Sequence, residues 1–270
     1  MRESTPVIFL PGAGAFTSRT EDLPVFRTGP EDPTQFEMIG YPGWQRYVAD
    51  GFSPEALIEE LAAEIEAKIP HGPIRIIGLS IGGHFGYAVA VHLQAKGRKI
   101  GGLCAIDTFM TVSAAPAPQW GRRALHQGMN LLSQRRIGAF LHFLRSLFWR
   151  AINRAAESHL PALLGRLSPS GRLPRVMAFD PLMEYELTLR LMLRKTAPWV
   201  GSLDRDPVAL NAPAVLLRSR NNACDDDAWR RRCPAIKIVE VPGDHRTLFD
   251  PENIGSLHAA FIDATREWRQ

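Results

Sequence analysis

The sequence lacks the features that mark membrane-spanning, metal-binding and nucleotide-binding proteins. No run of about 18 or more apolar residues occurs, so no transmembrane helix is predicted. Neither the Rossmann nor the Walker glycine pattern is present, and Cys104, Cys224 and Cys233 do not have metal-ligand spacing. We therefore expect no metal and no cofactor. Because cysteines are few and the first residues do not read as a secretory signal, we also expect reduced thiols and a cytoplasmic location.

Charge is unevenly distributed along the chain. The formal net charge is +4, but residues 112–200 hold 13 Lys and Arg against 4 Asp and Glu, a net charge of +9. These basic residues are interleaved with apolar ones and no nucleic-acid-binding motif is present, so nucleic acid is not an expected partner. Two interpretations of the segment stay open: a surface that attracts an acidic partner, and an ordinary solvated arginine face.

Short apolar runs alternate with helical patterns over most of the chain. Strands are predicted at residues 6–10, 36–40, 74–78, 100–107, 214–218 and 236–241. Helices are predicted from residue 54 onward and at residues 82–96, 182–195 and 251–268. This alternation indicates one α/β domain over residues 1–270, with a mainly parallel sheet flanked by helices. Residues 111–200 interrupt it with helical periodicity and no strand pattern, and we predict that they form a long helical lid insertion.

A sharp bend between a predicted strand and a predicted helix carries a serine. The stretch from Gly78 to Gly82, GLSIG, has the form G-x-S-x-G. A serine hydroxyl is a weak nucleophile that needs a base, a group that orients the base, and donors for the oxyanion that forms. A strand-to-helix elbow exposes the hydroxyl above the sheet and places the next N–H group at a helix N-terminus. Ser80 is therefore the predicted nucleophile.

The predicted base is His245, because it directly follows the last strand, at the edge where open α/β sheets place their sites. Two carboxylates stay open as the acid that orients it. Asp107 ends an apolar strand, and Asp225 begins a run of three aspartates after the strand at 214–218. We favour Asp107, since a single carboxylate at the end of a buried strand is suited to orient an imidazole and stabilise its charged form.

The oxyanion needs two N–H donors. One is predicted to be the backbone of Ile81, directly after the serine. The other is expected from the glycine-rich loop after the first strand, PGAG, where Ala13 is our choice and Gly12 and Gly14 remain alternatives.

Together these segments resemble the thioesterase domains that terminate nonribosomal peptide and polyketide synthesis. GLSIGGHFGYAVAVHLQAKG is similar to their G-x-S-x-G-G segment, and LCAIDTF resembles the strand that ends in their catalytic aspartate. VEVPGDHRTLFDPENIGSLHAAF is similar to their G-D-H segment and final helix, and FLPGAGAF is like their oxyanion loop. The resemblance implies an α/β-hydrolase fold with a variable lid, a triad of Ser80, Asp107 and His245, and oxyanion donors at Ala13 and Ile81.

The resemblance also implies an activity and a partner. Such a domain releases an acyl or peptidyl chain from the phosphopantetheine thioester of a carrier protein through an acyl-enzyme, by hydrolysis or cyclisation. The resemblance implies that the carrier protein is acidic and could be attracted by the basic segment, while the interpretation as a solvated arginine face stays equally open. Three alternatives stay open: a free-standing editing (type II) thioesterase, which Asp225 favours, a carboxylester hydrolase of the same fold, and a non-catalytic binding module.

Overall fold

The computed structural model describes residues 6–12, 26–27, 34–108, 181–220, 226–245 and 247–269. Its contacts divide the chain into two compact units. The first comprises residues 1–47, 51–111 and 185–270, and the second comprises residues 48–50 and 112–184. The sheet belongs to the first unit. The predicted lid lies outside the described residues up to residue 180, so its boundaries and the single-domain assignment stay predictions.

Within the described residues, six strands form one sheet in which every neighbouring pair is parallel. They are β1 Val7–Leu10, β2 Phe36–Met38, β3 Ile74–Leu79, β4 Ile100–Ile106, β5 Ala214–Ser219 and β6 Ile236–Val241. The sheet order is β2-β1-β3-β4-β5-β6. Every residue of β1 is buried, and β3, β4 and β5 are nearly so, as expected of parallel strands with covered faces. The predicted sheet is confirmed.

Six α-helices accompany these strands in the described part of the chain. They are α1 Trp44–Val48, α2 Pro54–Lys68, α3 Ile81–Ala95, α4 Pro181–Arg205, α5 Asp226–Arg232 and α6 Ile254–Ala264, followed by a short 3₁₀ helix at Arg266–Arg269. None of these helices is both long and apolar enough to cross a membrane. The α2 helix starts where its sequence predicts: the Ser53 hydroxyl accepts the N–H of Ala56 at 3.0 Å, and Pro54 is the first helical residue.

Three helices differ from the sequence prediction. The α1 helix was not predicted, because a single turn directly after a Pro-Gly pair has no periodic pattern to recognise. The α4 helix extends ten residues beyond the predicted end at residue 195, because the buried side chains of Trp199 and Val200 continue its apolar face past Pro198. The α6 helix is shorter than predicted. It ends at Ala264, after which the buried hydroxyl of Thr265 donates to the carbonyl of Phe261 at 2.7 Å.

The sheet order places a topological switch between β1 and β3. The chain leaves β1 for β2 on one side, and later returns to β3 on the other side of β1. In open α/β sheets the loops after two such strands diverge, and ligands bind in the crevice at their carboxyl ends. Here the two loops are Pro11–Gly12, after β1, and the bend at Ser80, after β3.

The contact between these two loops should be sensitive to a single methyl group. A Cβ added at Gly82 would lie 2.7 Å from the carbonyl oxygen of Pro11, and also against that of Leu10. We expect Gly82→Ala to lower the free energy of unfolding by about 1–3 kcal/mol, the usual cost of overpacking. Urea denaturation measures this change.

The matched control for this prediction is Gly201→Ala in α4. Among the described residues, no heavy atom lies within 4 Å of an added Cβ there. Because alanine favours helix over glycine, this change should leave stability unchanged or raise it by up to about 1 kcal/mol. Equal losses in the two variants would contradict the close approach at Gly82.

Candidate active site

Ser80 occupies a strained bend between β3 and α3. Its φ of 53° and ψ of −122° lie outside the conformations that residues other than glycine readily adopt. Hydrogen bonds on both sides hold the bend: Ser80 N–H donates to the carbonyl of Ile106 at 2.8 Å, and Gly83 N–H donates to the carbonyl of Ser80 at 3.0 Å. Ile81 is the first residue of α3, so its N–H lies at the helix N-terminus, as predicted.

Glycines allow the backbone segments around Ser80 to come this close. A Cβ at Gly78 would lie 2.6 Å from the Cα of Gly83, and one at Gly12 would lie 3.2 Å from the Cβ of Ser80. The absence of a side chain at Gly78 therefore permits the close approach of β3 and α3. The loop after β1 therefore lies directly beside the serine.

Asp107 is fully buried at the end of β4, also in the left-handed region with a φ of 46°. Its N–H donates to the carbonyl of Leu217 at 2.7 Å, and its Oδ1 accepts the N–H of Ser219 at 2.8 Å. Its Oδ2 lies 2.7 Å from Nδ1 of His245. Both carboxylate oxygens thus have donors, as a buried charge requires.

A compact turn after β6 presents His245. Gly243 takes a φ of 92°, which glycine alone adopts without strain. Several hydrogen bonds join Asp244 and Thr247. Asp244 N–H donates to the Thr247 hydroxyl at 2.8 Å, and Thr247 N–H donates to the Asp244 carbonyl at 3.0 Å. The Asp244 carboxylate also accepts from the N–H and the hydroxyl of Thr247, each at 3.2 Å. The Asn253 amide donates to the Thr247 carbonyl at 2.9 Å. These bonds fix the turn and leave about 37% of the His245 side chain exposed.

The parallel sheet places Ser80, Asp107 and His245 at the edge formed by the carboxyl ends of its strands. In the register, Leu79 pairs with Ile106 and Ile106 with Leu217, so Ser80 and Asp107 follow paired residues of neighbouring strands. His245 comes from the loop after β6 and contacts Asp107 directly. An ionised carboxylate only accepts hydrogen bonds, so beside an ionised Asp107 a neutral His245 holds its proton on Nδ1 and has the lone pair on Nε2. An imidazole in this tautomer can act as a base.

The alternative acid, Asp225, lies outside the described residues, as does the predicted oxyanion donor Ala13. The two aspartates that follow Asp225 form ion pairs with arginines. Asp226 pairs with Arg218 at 3.1 Å, and Asp227 pairs with Arg230 at 3.0 Å. Asp107, in contrast, contacts His245 directly.

A buried cation lies deeper, between α3, α4 and α5. Arg232 is fully buried and pairs with Asp204, while its Nη1 lies 3.1 Å from Nδ1 of His84. Its guanidinium lies over the rings of Tyr87 and Trp229, at 5.0 and 5.3 Å from their centroids. Burial lowers the pKa of Arg232, and the carboxylate partly offsets that effect. This cluster joins three helices, and in it His84 is a buried, packed histidine.

The described residues contain no group of three or more His, Cys, Asp or Glu side chains that could hold a metal ion. Cys104 and Cys233 are buried free thiols, and burial raises the pKa of Cys233 to about 12. Neither is thus a reactive thiolate at neutral pH.

Two contacts near the site were not foreseen from the sequence. The Tyr41 hydroxyl donates to the carbonyl of Pro11 at 2.7 Å, and nothing in the sequence around Tyr41 indicates this bond. The backbone N–H of Ser219 donates to Asp107, and a backbone donor has no sequence signature.

Comparison with known proteins finds similarity to thioesterase domains. A family model for the thioesterase domain matches residues 29–145. No curated protein matches the chain. The resemblance predicted from the motifs is confirmed by the family model and by the solved structures that share the fold.

Three solved structures illustrate the similarity. A covalent complex of the NocB thioesterase domain with a fluorophosphonate nocardicin G analog is 16% identical over 97% of this chain and 94% of that one, with a TM-score of 0.57. The Vlm2 thioesterase domain bound with a dodecadepsipeptide is 19% identical over 97% and 95%, with a TM-score of 0.59. The four-domain nonribosomal peptide synthetase AB3403 is 19% identical over 97% of this chain and 20% of its own, with a TM-score of 0.56. The fold is therefore the predicted α/β-hydrolase fold.

The turn that carries His245 gives a testable prediction. A Cβ at Gly243 would meet the Asn253 amide nitrogen at 2.8 Å, which would disturb the bond from Asn253 to Thr247. We expect Gly243→Ala to slow labelling of Ser80 by a fluorophosphonate by roughly 10- to 100-fold, since a small misplacement of a catalytic group has an effect of this size.

Gly72→Ala is the control for Gly243→Ala. Gly72 also has a positive φ, of 83°, but among the described residues no heavy atom lies within 4 Å of an added Cβ. It should lose about 1–2 kcal/mol of stability from backbone strain and label at the wild-type rate. A Gly243→Ala variant that labels as fast as Gly72→Ala would show that the turn does not position His245.

Proposed function

We propose that this protein is a thioesterase that releases an acyl or peptidyl chain from the phosphopantetheine thioester of a carrier protein, by hydrolysis or cyclisation. The observation that carries the proposal is the 2.7 Å bond between His245 and buried Asp107, at the sheet edge where the strained Ser80 also lies. The similarity to thioesterase domains supplies the class of substrate. Apart from the phosphopantetheine arm of the substrate, we propose no cofactor and no metal.

The proposed reaction begins when Ser80 attacks the thioester carbonyl. His245 Nε2 takes the hydroxyl proton, and the Asp107 carboxylate stabilises the imidazolium that forms. The carbonyl oxygen becomes an oxyanion, which the N–H of Ile81 and a donor in the loop after β1 stabilise. When the tetrahedral intermediate collapses, the C–S bond breaks and His245 returns its proton to the departing thiolate.

The second half of the reaction releases the acyl group. Water, or a hydroxyl or amine of the same acyl chain, loses a proton to His245 and attacks the Ser80 ester. Collapse breaks the bond to Ser80, and the proton passes from His245 back to the serine. Water gives a free acid, whereas an internal nucleophile gives a ring.

The remaining assignments concern partner and location. The partner that we propose is an acyl or peptidyl carrier protein rather than nucleic acid. The basic segment at 112–200 is a candidate for its docking by charge alone, and lies outside the described residues up to residue 180. We propose that the protein acts in the cytoplasm, where the buried thiols Cys104 and Cys233 remain reduced.

Substrate preference tests the proposal against a carboxylester hydrolase. The same acyl group is presented as a phosphopantetheine thioester and as a simple alkyl ester. We expect a clear preference for the thioester in kcat/KM, and loss of roughly 10⁶ in turnover for Ser80→Ala. A preference for the alkyl ester would overturn the assignment as a thioesterase, and near-normal turnover by Ser80→Ala would overturn the mechanism.

The choice of acid gives a second test. Asp107→Asn should lower turnover by roughly 10⁴, because the amide no longer holds His245 in the tautomer that acts as a base. Asp225→Asn should lose little, and Asp226→Asn, which removes a carboxylate already paired with Arg218, serves as a matched control. Steady-state kinetics with the thioester substrate compares the turnover of the three variants. A large loss in Asp225→Asn with little loss in Asp107→Asn would reassign the acid and favour an editing thioesterase.

A further inference from the structure

The loop after β1 is tied down by a side chain from the neighbouring strand end. Tyr41 follows β2, whose continuation is anchored on β1 by the bond from Ile39 N–H to the carbonyl of Phe9 at 3.0 Å. From there the Tyr41 hydroxyl donates to the carbonyl of Pro11 at 2.7 Å, across 30 positions of the chain. Its ring lies against buried Phe85, with 5.0 Å between the centroids.

The anchored carbonyl lies next to the nucleophile. The Pro11 oxygen would be 2.7 Å from a Cβ at Gly82, and a Cβ at Gly12 would be 3.2 Å from that of Ser80. Phe85, which supports the Tyr41 ring, lies one helical turn after Ile81. One side chain therefore contacts both the loop after β1 and the helix that begins at the nucleophile.

Because the peptide bond is planar, the hydrogen bond from Tyr41 to the Pro11 carbonyl also determines the direction of the Gly12 N–H. The carbonyl of Pro11 and the N–H of Gly12 belong to one planar trans peptide, so the two groups point in opposite directions. A donor that fixes the Pro11 oxygen thereby fixes the direction of the Gly12 N–H and the start of the loop that leads to the predicted donor Ala13. Burial raises the pKa of Tyr41 well above its usual value, with Tyr47 adding to the rise. The hydroxyl therefore keeps its proton at neutral pH and remains a donor.

We propose that Tyr41 is a positioning residue for the oxyanion loop: its hydroxyl holds the Pro11 carbonyl and thereby fixes the Gly12 N–H and the start of the loop beside Ser80. The inference rests on the proposed serine mechanism. It assigns Tyr41 no contact with the substrate. Its effect should therefore appear in the transition state, where the oxyanion exists, and not in substrate binding.

The chain supplies a matched control for removal of this hydroxyl. Tyr87 lies on α3, and its hydroxyl also donates to a backbone carbonyl, that of Val208, at 2.6 Å. That carbonyl does not belong to the oxyanion loop. Tyr41→Phe and Tyr87→Phe therefore remove the same chemical group from similar bonds, and both keep their rings. Thermal melting of the two variants verifies that each is folded.

The experiment measures acylation chemistry without a carrier protein. We expect Tyr41→Phe to lower kcat for a small acyl thioester by roughly tenfold with KM within about twofold, a fraction of the 10²–10³ lost with an entire oxyanion donor. Its rate of labelling by a fluorophosphonate should fall by a similar factor. Its Ki for an acyl boronic acid, whose tetrahedral adduct on Ser80 mimics the oxyanion, should rise by the same factor. Tyr87→Phe should stay within about twofold of wild type in all three.

The outcomes separate this inference from the proposed function. If Tyr41→Phe matches wild type in kcat, labelling and Ki, or if Tyr87→Phe loses as much, the positioning role is overturned while the mechanism stands. A rise in KM at constant kcat would also overturn it, because the residue would then act in substrate binding. Wild-type protein that labels at Ser80 but does not turn over carrier thioesters would overturn the proposed function alone. No labelling of wild-type Ser80 would overturn both.

Discussion

The close backbone approach of β1, β3 and α3 is the constraint on which the rest of the site depends. Gly78 and Gly82 have no side chain because carbonyls and Cα atoms of the facing segments occupy that space. This approach places Ser80 on a bend with a positive φ, and it brings the Pro11–Gly12 loop beside it. Backbone strain of this kind costs on the order of 1–3 kcal/mol, and persists only where the surrounding structure imposes it. Here the buried residues of β1 and β3 impose it.

Burial determines the properties of the pair formed by Asp107 and His245. Asp107 has no exposure, and its two carboxylate oxygens have their donors in Ser219 and His245. In such a weakly polar environment, a charge-assisted hydrogen bond is stronger than it is in water. His245 differs, since part of its ring remains exposed and its turn is held by local bonds of Asp244 and Thr247. A fixed acid and an accessible base suit a group that accepts and returns protons in each half of the proposed reaction.

The sequence predicted most of the sheet because its strands are short, mainly apolar runs separated by turn residues or helical patterns. The bend at Ser80 was also predictable, because the glycines on both sides reveal a close backbone approach. The pairing of His245 with Asp107 was predictable only as a preference over Asp225, since the contact depends on the strand order β4-β5-β6. Without the fold, the order of the residues along the chain does not show that the loop after β6 lies close to the end of β4.

Other features had no local pattern from which to predict them. The α1 helix is one turn long, and α4 continues through Pro198 because tertiary contacts of Trp199, which stacks on Phe85 with 5.6 Å between the centroids, outweigh the local preference. The bond from Tyr41 to Pro11 joins two loops that become neighbours only in the parallel sheet. Contacts of this kind are long-range properties of the fold, whereas the proposed catalytic residues Ser80, Asp107 and His245 stand in recognisable local contexts.

Formation of an acyl-enzyme is the central claim, and mass spectrometry tests it most directly. The protein would be mixed with an acyl-phosphopantetheine thioester, quenched in acid within the first turnover, digested and mapped. The mechanism predicts that the acyl mass is found on the peptide that contains Ser80, and that it is absent when Ser80→Ala is treated in the same way. An acyl adduct on another residue, or product release with no adduct on Ser80 at any quench time, would contradict the account.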